Sequence, residues 1–361
     1  MLNLCELLFG VLIVAIVLFD VFHSIVVPRW TPRAFRVQPF LVRAIWPLWR
    51  QFGQRQRSLK RQEYLLGIFA PLAVMWGLIV WGFSLICGYG LMLYAFRSNT
   101  KPVIDDFGSA LYLAGTSLLT LGFGDLVATG GAARAVVLTA AASGLALMSL
   151  VIALLFSLYS SLQRREVLVV LLDARAGTPP TGVMLLETYA KLNLVEELPL
   201  TISAWEIWSA EVFESQRAYP ILPYFRSALE NDSWISAIGI MLDACTLLLT
   251  TVDSNSYGAA RLMYSIGCRV VLDIYKTFEL STTDEVGCKR EQFEQVRVRL
   301  ACAGYKLRDF EDAWPSFCQM RSAYGGALSA LAKYFGTPNE WFGDSLTVRH
   351  PNYKARHKRS L

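Results

Sequence analysis

Two long stretches of this chain contain no charged residue: Tyr64 to Phe96 and Ala135 to Gln163. Each exceeds the roughly 20 apolar residues that cross a hydrocarbon core. Lipid offers the backbone no hydrogen-bonding partner, so such stretches must satisfy their own N–H and C=O groups, as a helix does. A third apolar stretch, Leu7 to Val27, is interrupted by Asp20 and His23. It lacks a basic leader and an Ala-x-Ala-like site, which disfavours a cleaved signal peptide. With 54% hydrophobic and 17% charged residues, the composition is that of a membrane protein rather than a soluble one.

Charge sets the orientation. Arg29, Arg33, Arg36, Arg43, Arg50, Arg55, Arg57, Lys60 and Arg61 lie between Pro28 and Gln62 with no acidic residue among them. The positive-inside rule predicts that this linker is cytoplasmic. The first helix then runs inward with the N-terminus outside, and the second runs outward. Loop 97–106 is external and balanced, with Arg97 and Lys101 against Asp105 and Asp106, and the third helix returns inward to Arg164 and Arg165. No nucleic-acid motif accompanies the net charge of +5, so the basic excess reads as topology.

Between the second and third spans, Phe107 to Leu119 is too short to cross. Asp105 and Asp106 precede it, as suits a helix N-terminus. The segment therefore reads as a re-entrant helix entering from outside. Irregular backbone at membrane depth is tolerated only when buried in protein or lining a water-filled path. The next residues, 120–125, are Thr-Leu-Gly-Phe-Gly-Asp. Glycine at alternate positions allows backbone dihedrals closed to other residues.

This stretch resembles the selectivity filter of the tetrameric potassium-channel superfamily, Thr-x-Gly-Tyr/Phe-Gly-Asp. Over residues 64–165 the chain looks like the prokaryotic two-transmembrane pore module with an extra N-terminal helix. The resemblance implies a homotetramer in which carbonyls of Thr120, Leu121, Gly122 and Phe123, with Gly124, replace the hydration shell of K+. The Thr120 hydroxyl would close the inner end, and Asp125 would stand at the outer mouth. It implies passive K+ conduction with no enzymatic activity and no cofactor, in a cell membrane such as a bacterial inner membrane. Gly144, twenty residues past Gly124, falls where relatives carry an inner-helix hinge; its bland alternative is close helix packing. Phe123 lacks the hydroxyl that usually ties the filter to its surroundings. Thr116 stands where some relatives carry a glutamate paired with the filter aspartate, so Asp125 is expected to lack that partner. A weakly selective cation channel and a membrane-anchored sensory or scaffold protein with a vestigial pore are the competing readings.

In the basic linker, Arg36, Arg43, Arg50 and Arg57 recur every seven residues with Trp46 and Trp49 among them. This is the pattern of an amphipathic segment at the inner lipid surface, and it predicts contact with anionic lipid. Pro39, Pro47 and the polar residues argue against a voltage sensor. Asp20 and His23 share a helix face and are expected to pair with nearby arginines such as Arg29.

The expected fold class is an all-α integral membrane protein with a pore-loop channel and a mainly helical cytoplasmic C-terminal domain. The predicted divisions are an N-terminal helix (1–27), a basic linker (28–62), a pore domain (63–165), a helical domain (166–347) and a basic, disordered tail (348–361). Residues past 165 either continue the inner helix or form a short strand, up to Gly177 and Pro179-Pro180. Ser203 followed by Glu206 resembles a capping box. Trp234 to Val252 contains one charge, Asp243, and reads as a buried soluble helix in preference to a fourth span. No Gly-x-Gly-x-x-Gly turn suggests a nucleotide fold. Seven cysteines without a Cys-x-x-Cys pair and three histidines give metal or histidine catalysis little material.

Overall fold

The structure, a computed structural model, describes residues 2–26, 37–56, 58–176, 180–227, 233–253, 257–281 and 289–337. They are mostly helical and fall into two units, Met1–Ser160 with Arg217–Phe225, and Ser161–Gln216 with Arg226–Leu361. The segment Arg217–Phe225 packs into the first unit although it follows the start of the second in sequence.

In the first unit, α1 (Leu2–Val21) ends in a π-helical turn, Phe22–Val26. The helix α2 (Val37–Gln54) carries Pro47 in its interior, and α3 (Leu59–Ala95) follows. The short helix α4 (Phe107–Leu118) precedes α5 (Gly131–Ala176). Among the described residues, three helices are long and apolar enough to cross a membrane: Asn3–Val26, Arg61–Ala95 and Gly131–Ala176. Their apolar faces meet in a core of Val17, Val21, Trp81, Leu85, Tyr89 and Leu93 with Ala110, Leu113, Ala114, Leu118, Val136 and Ala140. Leu222 joins Val74, Leu154 and Leu158 in a second cluster.

Beside the helices, a two-stranded antiparallel ribbon pairs β1 (Thr100–Lys101) with β2 (Val127–Ala128). It brings the chain before α4 back beside the chain after residue 125, a long-range pairing that two-residue strands do not announce by periodicity.

The second unit holds α6 (Gly182–Lys191), α7 (Leu198–Ala218, up to Gln216), α8 (Trp234–Thr250) and α9 (Tyr257–Thr277). It also holds α10 (Arg290–Cys302), α11 (Phe310–Ser322) and α12 (Gly325–Phe335). Here α8 is nearly all buried and packs against α6, α9, α11 and α12. Asp243 is reached by the Tyr324 hydroxyl at 2.5 Å and by Arg321 Nε at 3.3 Å. Trp205, Trp208 and Val212 are core residues of α7. Residues 165–176 continue the helix and form no strand. Ser203 does not cap: it lies inside α7, which starts at Leu198 after a 3-10 turn at Val195–Glu197. Gly177, Pro179 and the tail 348–361 lie outside the described residues.

Candidate ion-conduction path

Helix α4 starts where the sequence put it. Asp106 is the N-cap, its carboxylate accepting from Ser109 N at 2.9 Å and from Ser109 Oγ at 2.8 Å. The Ser109 backbone bond, then its hydroxyl, hold the Asp106 carboxyl below the usual carboxylate range. At ~1.5 Å per residue the 12 residues of α4 span ~18 Å, well short of the ~30 Å hydrocarbon core.

The end of α4 leads directly into residues 120–125. Thr120 N donates to Ser117 O at 3.0 Å, and Leu121 N and Gly122 N both reach Thr116 O, at 2.8 and 3.4 Å. Thr116 thus anchors the segment by its carbonyl, while its hydroxyl bonds Leu113 O in its own helix at 3.1 Å. Thr120, Gly122 and Gly124 have φ of 55°, 56° and 83°, whereas Leu121 and Phe123 between them stay out of the positive region. A backbone alternating in this way gathers its N–H groups on one side and its carbonyls on the other, unlike a strand. Thr120 adopts the left-handed region despite having a Cβ, at a cost of about 1–2 kcal/mol. A Cβ at Gly122 or Gly124 would meet nothing within 4 Å, so dihedrals alone select glycine there. All six residues from Thr120 to Asp125 are exposed in the single chain.

Beyond the segment, Thr129 N and Gly130 N donate to Asn99 O at 2.9 and 3.4 Å. Sequence reasoning missed this anchor and one other. The Tyr112 ring stacks on Phe123 with centroids 6.5 Å apart and planes at 7°, and the Tyr112 hydroxyl interacts with the Asp125 carboxylate. Asp125 therefore has a partner on α4, one turn before Thr116. The i, i+4 spacing of Tyr112 and Thr116 on a helix was the available signal.

Gly144 lies on α5 against the C-terminal end of α4. A Cβ there would sit 1.8 Å from Leu118 O and 2.7 Å from Leu118 C, so glycine permits backbone-to-backbone approach between the two helices. Beside it, the Tyr89 hydroxyl of α3 reaches Oγ of the preceding residue, Ser143, at 2.6 Å and Thr139 O at 3.3 Å. These contacts fix α3, α4 and α5 around the segment.

The other sequence-predicted residues divide. Arg36, Arg57 and Arg29 lie outside the described residues. Arg43, Arg50 and Trp49 are half-buried on α2, with Trp49 Nε1 donating to Leu65 O at 2.8 Å. Trp46 leaves the lipid-facing set. It is 1% exposed, its ring 4.8 Å from Phe69 and 5.2 Å from Tyr224, because the buried face of α2 needs a large apolar side chain. Asp20 is buried and accepts from Trp81 Nε1 at 2.8 Å, tying α1 to α3. His23 Nδ1 lies 3.0 Å from Phe19 O.

Residues 79–161 match the family model described as ion channel. No curated protein and no solved structure matches the chain. The matched range begins within α3, takes in all of α4 and residues 120–125, and ends within α5. It supports a pore-loop ion channel family, and residues 79–161 form an ion channel domain in a chain with three membrane-capable helices.

Proposed function

We propose that the chain is the subunit of a potassium-selective channel, four copies enclosing one pore and conducting K+ passively. The observation carrying this reading is the alternating positive φ at Thr120, Gly122 and Gly124, at the end of a helix too short to cross. The carbonyls of Thr120, Leu121, Gly122 and Phe123 form successive oxygen rings around the ion, with Gly124 completing the loop and the Thr120 hydroxyl the inner cage. Asp125, held by Tyr112, sets the outer mouth. The C-terminal end of α4 lends negative potential to a cation beneath the filter. Exposure of the whole filter in one chain fits a wall that needs other copies to become a conduit.

The topology that accompanies this reading puts the N-terminus outside, the linker 28–62 and the C-terminal unit in the cytoplasm, and the chain in the cell membrane. Arg43, Arg50 and Trp49, with Arg36 and Arg57, contact anionic headgroups at the inner surface. Gly144 acts as a hinge only in so far as α5 separates from Leu118, since the two backbones touch there.

Reconstitution in vesicles with bi-ionic K+/Na+ gradients tests the reading. A reversal potential that follows K+ supports it. Equal permeabilities would mean a weakly selective cation channel, and absence of current under varied pH, lipid and calcium would mean a vestigial pore.

A further inference from the structure

The chain leaves the first unit inside α5, after Ser160, and returns to it once, for residues Arg217–Phe225. This loop is short and stiff. Pro220 and Pro223 fix two of its backbone φ angles. Leu222 N donates to Tyr219 O at 2.9 Å and Tyr224 N to Ile221 O at 3.1 Å, around a 3-10 turn at Leu222–Tyr224. Leu222 is 3% and Tyr224 2% exposed, so the turn is seated deep within the first unit.

The turn packs on three helices of that unit. The Tyr224 ring meets Trp46 of α2 edge-on, with centroids 5.2 Å apart, and lies 5.6 Å from Phe69 of α3. Leu222 packs with Val74 of α3 and with Leu154 and Leu158 of α5. A cavity of about 50 Å3 lies beside the loop, lined by Val42, Arg43, Leu154, Leu158, Tyr219 and Ile221 among others. Side chains that face a void lose part of their dispersion contacts, so this seat grips less firmly than a filled core. The chain beyond the loop is held separately. Two residues after Tyr224, in the second unit, Arg226 Nη2 donates to Phe335 O and Gly336 O, both at 2.8 Å, at the C-terminal end of α12. The single residue between, Phe225, is extended and leaves little slack.

The Leu222 seat also meets α5 where that helix has leverage. Leu154 and Leu158 lie 10 and 14 residues past Gly144 (154 and 158 minus 144), ~15 and ~21 Å along the axis. A bend of ~10° at Gly144 would carry Leu158 sideways by about 3–4 Å. Apolar contact is lost beyond ~4.5 Å, so such a bend breaks the seat.

We infer that residues 217–225 are a strap that holds α5 straight against α3, and that the C-terminal unit sets its grip by pulling on residues 216 and 226. The inference rests on the channel reading and adds regulation to it. The strap gives the second unit a covalent route to the pore helices besides α5 itself. Loosening the strap frees the bend and raises open probability. The filter is untouched, so the K+/Na+ permeability ratio stays that of the parent.

Single-channel recording and K+ flux from the full chain in vesicles test it. Leu222→Ala and Tyr224→Ala are each expected to raise open probability several-fold at an unchanged permeability ratio. Unchanged or lowered open probability in both overturns the strap. A locking experiment does not depend on how well those variants fold. In a background lacking the native cysteines, Leu158→Cys and Leu222→Cys are joined by a short, reducible thiol cross-linker. Joining is expected to lower flux several-fold, and reduction to restore it. Failure to join, or joining that leaves flux unchanged, overturns the strap, while flux from the unsubstituted chain keeps the channel reading standing. No K+ flux from the unsubstituted chain overturns the channel reading and the strap with it.

Discussion

Gly144→Ala separates two roles that one glycine can play. The added methyl would lie 1.8 Å from the Leu118 carbonyl oxygen, whereas Cβ contacts essentially never fall below 3.0 Å, so α4 and α5 must part by at least 1.2 Å (3.0 minus 1.8). The obstacle is backbone, so no side-chain rotation relieves it. Overpacking of this kind costs about 1–3 kcal/mol, and alanine returns about 1 kcal/mol of helix propensity. The expected net loss is between about 0 and 2 kcal/mol, read as a lower thermal midpoint of the purified protein. The displaced end of α4 is also where Thr116 O and Ser117 O hold Thr120, Leu121 and Gly122. Packing therefore predicts a second signature, a changed K+/Na+ permeability ratio. A hinge without packing predicts altered open probability at unchanged permeability and stability. A Gly144→Ala protein as stable as the parent, with the same permeability ratio, refutes the packing argument.

Three further outcomes follow from other sites. Gly122→Ala meets no steric obstacle but forces alanine to φ near 56°, at about 1–2 kcal/mol per chain; K+ selectivity or conduction should be lost while membrane insertion persists, and normal selectivity would remove Thr120–Gly124 from the ion path. Asp20→Leu strands the buried Trp81 N–H and should cost about 1–3 kcal/mol, whereas Asp20→Asn, which keeps an acceptor, should cost less; equal thermal midpoints for both would show that the bond contributes nothing. Burial pushes the Asp243 carboxyl up, with Arg321 and Tyr324 opposing. A raised folded-state value means that the folded chain holds its proton after the unfolded chain has released it. Stability contributed by this group therefore falls as pH rises from the ordinary carboxylate range through the raised value. Asp243→Asn should flatten that part of the pH–stability curve, and an unchanged slope would count against it.

What the sequence disclosed and what it withheld divide along physical lines. Features set by local composition were legible: the uncharged runs that became α3 and α5, the Asp106 cap of α4, and the alternate glycines of 120–125. Features set by where a side chain lands in three dimensions were not. Trp46 carries the same interfacial signature as Trp49, yet one packs on Phe69 and Tyr224 and the other binds Leu65 O. Asp20 finds an indole 61 residues away, because helix pairing, not sequence distance, decides such a neighbour. Ser203 followed by Glu206 satisfies a capping pattern, but buried Leu198, Thr201 and Ile202 extend the apolar face of α7 backwards past it.

Residues 120–125 are held chiefly at their ends. Thr116 and Ser117 carbonyls fix the entrance, the Asn99 carbonyl fixes the exit, and Tyr112 supports Phe123 and Asp125 between them. In the single chain, nothing lies within 4 Å of where a side chain at Gly122 or Gly124 would begin. The strained dihedral of Thr120 thus has local hydrogen bonds to oppose it but no wall behind it. A loop of this kind is stable in one geometry only if something fills the open side. In the proposed assembly, those fillers are the neighbouring copies and the ions themselves.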